Sequence, residues 1–129
     1  MFLLDTNACI DFLLARSEPL TQRIGANFGK LSVSAITLAE LRVGSRTSTD
    51  PTGDDRRLTV FAASIEVAPF DQRAADVYGE LVKMIGVQRR SFDRLIGSQA
   101  VALGRTLVTN NTADFTDISG LRVDNWTLP

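Results

Sequence analysis

Four acidic residues lie where their carboxylates could act together. Asp5 directly follows a short apolar segment, Asp114 lies a few residues after another, and Glu40 and Asp93 lie near the starts of predicted helices. Carboxylates brought close together repel one another unless protons or a cation compensate their charge. Mg²⁺ prefers oxygen ligands and keeps several waters, and it can polarise a phosphodiester and orient a water for attack. The four residues therefore indicate magnesium-assisted phosphodiester hydrolysis.

Composition limits the other chemistries. The chain has 129 residues, 44% of them hydrophobic, no histidine and a net charge of −1, and we predict a single domain over residues 1–129. Serine–histidine and cysteine–histidine mechanisms are excluded, and zinc is a poor candidate metal. The one cysteine, Cys9, lies within an apolar helical pattern and is interpreted as a small buried residue rather than a nucleophile.

The chain carries no pattern typical of export or membrane insertion. Its first residues have neither the basic flank nor the apolar length of a signal peptide, and a lone cysteine offers no internal disulfide. No apolar stretch approaches the roughly 20 residues that cross a bilayer. We therefore expect a cytoplasmic protein that does not insert into membranes.

Short apolar segments alternate with helical patterns along the chain. Strands are predicted at 2–4, 30–34, 66–70 and 106–109, and a last extended segment, "LRVDNW", follows. Parallel strands require crossovers, which here are the helices between them. The fold class is therefore α/β, with a mainly parallel central sheet of four to five strands and helices on both faces. In such sheets ligands bind beyond the carboxyl ends of the strands, where Asp5 and Asp114 lie.

Turn and cap residues suggest where several elements end. Gly44 is expected to close the helix "TLAELRVG", and Gly104 the helix that contains Asp93. Asp71 is a plausible N-cap of the clearest helix, "DQRAADVYGELVKMIG". Residues 47–57, rich in Thr, Asp, Gly and Pro, are predicted to form a loop.

Each acid also has a structural interpretation. Thr37 and Glu40 match the S/T-x-x-E capping box, Asp93 could stabilise a helix N-terminus through the dipole, and Asp114 could be a turn former. Asp5 is hardest to explain in this way. A carboxylate after an apolar strand is costly to desolvate, and no basic residue is nearby in sequence.

Four ordered blocks carry a family resemblance: "LLDTNACID", "SAITLAELRVG", "FDRLIGSQAVALGRTLVTNNTADF" and "GLRVDNW". In order and spacing they resemble PIN-domain proteins, most closely the VapC-like toxin ribonucleases of type II toxin–antitoxin pairs. The family acids fall on the positions of Asp5, Glu40, Asp93 and Asp114. The polar pair that the family places beside the metal falls on Thr109 and Asn110.

The resemblance implies a fold, an activity and partners. The fold would be a three-layer α/β/α PIN-like domain, and the activity that of a magnesium- or manganese-dependent endoribonuclease. The partners would be an RNA substrate, a cognate antitoxin and a second copy in a homodimer that can join a larger toxin–antitoxin assembly. Asp5 and Asp93 would make the most direct metal contacts, while Glu40 and Asp114 would complete the shell or position water.

This chain departs from many relatives around the third acid. "RRSF" replaces a glycine–proline–asparagine turn before Asp93, and Gln99 takes a histidine position. We expect these changes to affect substrate or antitoxin choice rather than metal binding. Arg94 could point away along its helix or lean over the site and weaken cation binding.

Arginines are the candidate RNA contacts, since twelve of the fourteen basic residues are arginine, which grips phosphate with a fork of donors. The candidates near the acids are Arg42, Arg46, Arg90 and Arg94. Arg42 and Arg46 lie four apart and share a helix face. Each could hold phosphates of the substrate or simply lie on a solvated face. Arg56 and Arg57 are interpreted as surface ion pairs of little energetic weight.

Two alternatives to a nuclease stay open at this point. A catalytically silent PIN-like interaction module would be favoured by loss of one of the four acids, and none is lost. A phosphatase with Asp5 as nucleophile would need a second aspartate two residues on, where this chain has Asn7. A nucleotide-binding module is disfavoured because no glycine-rich loop follows the first strand. Trp126 could plug the core or contact a second copy.

Overall fold

A five-stranded, fully parallel sheet forms the centre of the computed structural model, which describes residues 1–129. The strand order is β3 (Glu66–Ala68), β2 (Leu31–Ser34), β1 (Phe2–Leu4), β4 (Thr106–Val108) and β5 (Val123–Asp124), so the first strand lies in the middle. Leu4 of β1 is aligned with Val33 of β2 and with Val108 of β4. The chain leaves β1 at Asp5, which is thereby placed at the carboxyl edge of the central strand.

Six helices connect the strands, two after each of β1, β2 and β3. The helices are α1 (Thr6–Leu13), α2 (Glu18–Ala26), α3 (Ala35–Arg46), α4 (Pro51–Ser64), α5 (Gln72–Ile85) and α6 (Asp93–Leu103). Short 3₁₀ turns cover Phe28–Lys30 and Thr112–Phe115. The predicted α/β fold is confirmed, with helices on both faces of the sheet.

The core has two parts because neighbouring residues of a strand point to opposite faces. Leu4 and Val108 belong to the larger cluster, with residues of α1, α2, α3 and α4. Leu3 and Leu107 belong to the smaller one, with residues of α6 and the segment after β4. Trp126 is 4% exposed and packs edge-on against Phe2, so it fills the core. Cys9 is also buried, as expected.

Two sequence predictions about the middle of the chain are wrong. Residues 47–57 are not all loop, since α4 begins at Pro51 after Asp50, whose carboxylate accepts a hydrogen bond from the Gly53 N–H at 3.2 Å. Proline suits the first helical position because the N–H that it lacks would be unpaired there. Gly44 does not end α3, which runs on to Arg46. A glycine inside a helix is tolerated where the neighbouring residues favour continuation.

The other cap predictions are confirmed. Asp71 accepts from the Ala74 N–H at 3.0 Å and begins α5. Gly104 ends α6 in the left-handed conformation, with φ of 66°, which glycine adopts without strain. None of the helices is both long and apolar enough to cross a lipid bilayer.

Candidate active site

Asp5 is the buried centre of the site. It caps α1, where its carboxylate accepts from the Ala8 N–H at 2.7 Å, and its own N–H donates to the Val108 carbonyl. The residue is only 3% exposed. Burial raises the pKa of Asp5 to about 6, against the lowering effect of hydrogen bonds from Thr109 and Ala8; the nearby charges of Asp93 and Asp11 raise it further.

Thr109 and Asn110, the polar pair after β4, contact different residues. Thr109 is buried beside Asp5 and lowers the pKa of its carboxyl, and the Thr109 hydroxyl accepts from the Asn111 N–H at 2.9 Å. Asn110 points outward instead, and its side-chain amide donates to Asp11 Oδ2 at 2.8 Å. Thr109 therefore lies against the central acid, whereas Asn110 ties the β4 turn to α1.

Glu40 reaches the same region through α1. The Thr6 hydroxyl lies 2.7 Å from Glu40 Oε1, to which it can donate, and 3.1 Å from the buried Thr37 hydroxyl. Thr37 is not the N-cap of α3, because Ser34 caps that helix by accepting from the Ile36 N–H. The capping-box interpretation of Thr37 and Glu40 is therefore wrong. Both side chains instead hold Thr6, the neighbour of Asp5.

Asp93 and Asp114 form the open side of the site. Asp93 is the first residue of α6, half-buried, and Asp114 lies exposed in the 3₁₀ turn that follows β4. Burial raises the pKa of Asp93, the Ser91 hydroxyl bond lowers it, and the charge of Asp114 raises it. Asp93 in turn raises the pKa of Asp5. Asp93 therefore lies within electrostatic reach of both Asp5 and Asp114.

The protein supplies no cation to the four acids. Arginine and lysine form ion pairs elsewhere, but none with Asp5, Glu40, Asp93 or Asp114. No three acidic side chains are close enough to hold a single ion between them. Mg²⁺ is usually held by only one or two carboxylates together with waters and substrate phosphates. The oxygen-only donors and the raised pKa values of Asp5 and Asp93 fit such an ion.

The candidate RNA-binding arginines differ in what they already contact. Arg42 donates to Asp55 Oδ1 at 2.9 Å and to the Thr59 hydroxyl at 3.0 Å. Arg46 is 71% exposed and lies 4.0 Å from the same Asp55 oxygen. Arg90 is exposed, has a φ of 62° and forms no ion pair. Arg42 is thus committed to α4, while Arg46 and Arg90 have free donors.

Arg94 does not lean onto the acids. Its guanidinium donates to the backbone carbonyls of Ile85 and Gly86 and to the Asp117 carboxylate. The charge of Arg94 is therefore paired with Asp117 rather than with Asp93.

A groove of about 350 Å³ adjoins the site between α1, α3 and α4. Glu40 lies on its lining, together with the apolar side chains of Ile10, Leu13, Leu41 and Leu58. None of the other three acids lines this groove. It is therefore a neighbour of the carboxylate site and not the site itself.

Sequence patterns missed the residues that support the acids. Thr6, Ser91 and Asp11 belong to the site through contacts described above. The "DTN" block contains Thr6, whose position directly after Asp5 was the available signal. Asp11 is the last residue of the block "LLDTNACID", but its contact with Asn110, 99 residues away, follows from no local spacing.

The sequence model of the PIN domain family matches residues 2–121 of this chain. The chain therefore belongs to the PIN domain family, as the four sequence blocks predicted. The matched region includes all four candidate acids.

Within that family, several VapC proteins are similar to this chain. The chain is 35% identical to the tRNA(fMet)-specific endonuclease VapC of Shigella flexneri, over 97% of both chains. It matches the crystal structure of DNA-bound VapBC from Salmonella typhimurium with a TM-score of 0.89 and 31% identity, over 97% of both chains. The VapBC2 structure from Rickettsia felis, bound to a promoter DNA fragment, gives 0.87 and 29%, over 97% of this chain and 98% of that one.

Proposed function

We propose that this chain is a divalent-metal-dependent endoribonuclease and the toxin of a cytoplasmic toxin–antitoxin pair. The observation that carries the proposal is the buried Asp5 carboxylate at the end of the central strand, beside Asp93 and without a cationic partner. A carboxylate in such a place is costly unless it is protonated or meets a cation from outside the chain. The VapC relatives, named as ribonucleases, support the same conclusion.

Asp5 and Asp93 are the proposed metal ligands, with Mg²⁺ or Mn²⁺ as the ion. When bound, the ion would polarise the scissile phosphodiester and neutralise the leaving oxyanion. The Ala8 N–H fixes the orientation of the Asp5 carboxylate by donating to it at 2.7 Å. Glu40, held by Thr6, and the exposed Asp114 are proposed to complete the shell through the waters of the ion or to orient the attacking water.

The proposed substrate is RNA, held in part by free arginine donors. Arg90 lies three residues before Asp93 and Arg46 lies at the end of α3, and both are exposed. Their guanidinium forks can each grip a phosphate oxygen pair. Arg42 and Arg94 contribute less directly in this proposal, because their donors already hold α4 and the segment around Asp117. The name of the Shigella relative makes tRNA the first substrate class to test.

The proposed partners are a cognate antitoxin and a second copy of the chain. Support for the antitoxin comes from the VapBC complexes that this fold matches. The homodimer is proposed because the four sequence blocks resemble those of PIN-domain toxins. Sedimentation of the purified chain, alone and with the product of a neighbouring gene, measures both associations.

The decisive experiment is cleavage of a mixed tRNA and rRNA pool by the purified protein. Reactions with magnesium, with a chelator and with Asp5→Asn run in parallel. The matched control is Asp71→Asn, because Asp71 caps α5 with the same kind of bond that Asp5 makes in capping α1. We expect discrete fragments that require both magnesium and Asp5 and that Asp71→Asn leaves unchanged. Fragments that persist in Asp5→Asn would contradict the proposed mechanism, and a protein that binds no metal would favour the silent interaction module.

A further inference from the structure

Arg94 lies next to the candidate acids, but the proposed function gives it no direct role. Its side chain is 16% exposed, and three acceptors surround it. Nη1 lies 3.0 Å from the Ile85 carbonyl and 2.5 Å from the Gly86 carbonyl, and Nη2 lies 2.9 Å from Asp117 Oδ2. One guanidinium thus joins the carboxyl end of α5, the first turn of α6 and the segment after β4.

Both ends of this link lie next to a candidate metal ligand. Arg94 directly follows Asp93, and Asp117 follows Asp114 by three residues. The Asp114 segment is short and exposed, and its backbone forms only turn bonds, such as Ile118 N–H to the Phe115 carbonyl at 3.3 Å. A charge-assisted bond of a guanidinium to a carboxylate is stronger and more directional than such turn bonds.

Apolar contacts anchor the other side of the same segment. Phe115 and Ile118 are buried against α6, and Ile118 approaches Gly97 so closely that a Cβ there would lie 2.5 Å from its Cδ1. These contacts fix the depth of the segment beneath α6. Thr116 bonds to the Ala113 carbonyl within the segment, and the side-chain hydrogen bond that joins residues 112–118 to another element is that of Arg94 with Asp117.

We propose that Arg94 is a positioning residue that holds the Asp114 segment in register with Asp93 by pairing with Asp117. The inference rests on the proposed function, because it assigns Asp114 a part in holding the divalent ion. Arg94 itself does not touch the ion or the substrate in this proposal. The positive charge of Arg94 alone would repel a cation and weaken ion binding. The proposed positioning role predicts the opposite, namely that Arg94 makes ion binding tighter.

The first measurement is amide hydrogen exchange on the protein without added metal. Arg94→Gln and the milder Asp117→Asn should each speed exchange at Asp114 and Ile118, by about tenfold for Arg94→Gln. The matched control is Arg105→Gln, since Arg105 pairs with Glu66 at the opposite edge of the sheet and has a nearly equal exposure of 15%. Unchanged exchange at both amides in Arg94→Gln would overturn the proposal.

The second measurement is the binding of Mn²⁺ alone, followed by its electron paramagnetic resonance signal. Arg94→Gln should weaken binding about fivefold, and Arg94→Lys, which keeps the charge but loses the fork, should also weaken it. In the Asp114→Asn background the same Arg94→Gln change should have no further effect, because the two residues act as one unit.

Three results would overturn the positioning role. If the fold-changes in Mn²⁺ affinity caused by Arg94→Gln and by Asp114→Asn multiply in the double variant, the two residues contribute independently. Tighter Mn²⁺ binding in Arg94→Gln would show that its charge matters more than its contacts. A wild-type protein that binds no Mn²⁺ and cleaves no RNA would remove the proposed function, and with it the role in ion binding, even if the exchange result held.

Discussion

Two groups of aspartates in this molecule have pKa values that are shifted in opposite directions. At the start of α4, pairing with Arg42 and Ser45 lowers the pKa of Asp55, and hydrogen bonds from Ser48 and Arg57 lower that of Asp54. At the carboxyl edge of the sheet, burial raises the pKa of Asp5 and of Asp93. The first group has its counter-charges within the chain, and the second has none.

The difference separates carboxylates that serve the fold from carboxylates that serve a ligand. Exposed acids paired with arginine cost little and contribute little. A buried acid without a partner lowers stability at neutral pH, and a raised pKa beside another acid is typical of functional sites. The composition alone does not distinguish the two groups, since both consist of aspartates close to helix starts.

The largest expected effect is on RNA cleavage by Asp93→Asn. Removal of one of the two proposed metal ligands should reduce cleavage by at least about a hundredfold, because several kcal/mol of charge stabilisation depend on the ion. Asp55→Asn, from the compensated group, should retain activity. Initial rates on the same tRNA pool measure both variants. Equal losses in the two would remove the distinction between the groups.

Asp5→Asn should give the largest change in stability. A rise in pKa from the ordinary 3.8 to about 6 corresponds to about 3 kcal/mol at ~1.36 kcal/mol per pKa unit. Asparagine is also a good N-cap. Without metal at pH 7, the variant should therefore be more stable than the wild type by up to about 3 kcal/mol, measured by urea unfolding. A less stable variant would show that ionised Asp5 is already compensated within the fold.

The pH dependence gives the sign of the same effect. A carboxyl whose pKa is higher in the folded state binds more protons there, so stability falls as pH rises from about 4 to 6 and then levels. The raised pKa of Asp93 acts in the same direction. Asp54 and Asp55, whose pKa values are lowered, make stability rise as pH increases toward about 4. Asp5→Asn should reduce the fall in stability between pH 4 and 6. Asp55→Asn should reduce the rise in stability as the pH increases toward about 4.

The sequence predicted the elements that have strong periodicity or a clear cap. The central strand, the helix after Asp71 and the end of α6 at Gly104 follow from local chemistry and were found as expected. The segment 47–57 was misread because its Thr, Asp, Gly and Pro residues are typical of loops. Asp50 and Pro51 instead begin a helix whose later turns bury Leu58 and Phe61 in the core, a tertiary contribution that propensity does not contain.

The contacts that support the acids of the site could not be predicted from the sequence, because they join residues far apart along the chain. Thr6 meets Glu40 across 34 residues, and Asn110 meets Asp11 across 99, so no local period relates them. Arg94 stands beside Asp93 in sequence, yet its guanidinium reaches the ends of two other segments. Position along the chain indicates which acids lie near the edge of the sheet but not which arginines already have partners.

Added magnesium should stabilise the wild type and not Asp5→Asn. An ion that binds only the folded state adds RT ln(1 + [L]/Kd), or about 1.4 kcal/mol at ten times Kd. The ion also restores the ionised form of Asp5, so the fall in stability between pH 4 and 6 should shrink. Thermal unfolding with and without the ion measures this. Equal stabilisation of both proteins would place the bound ion elsewhere.

The smallest expected effect is that of Asp55→Asn on stability. Arg42 and Ser45 would lose an anionic acceptor, but both groups lie near solvent, and Arg42 would keep its bond to Thr59. We therefore expect a small drop in the unfolding temperature, smaller again in high salt, which screens exposed pairs. Asp5→Asn raises stability under the same conditions, so the two substitutions have opposite signs. If both lowered it, the raised pKa of Asp5 would not reflect an uncompensated charge.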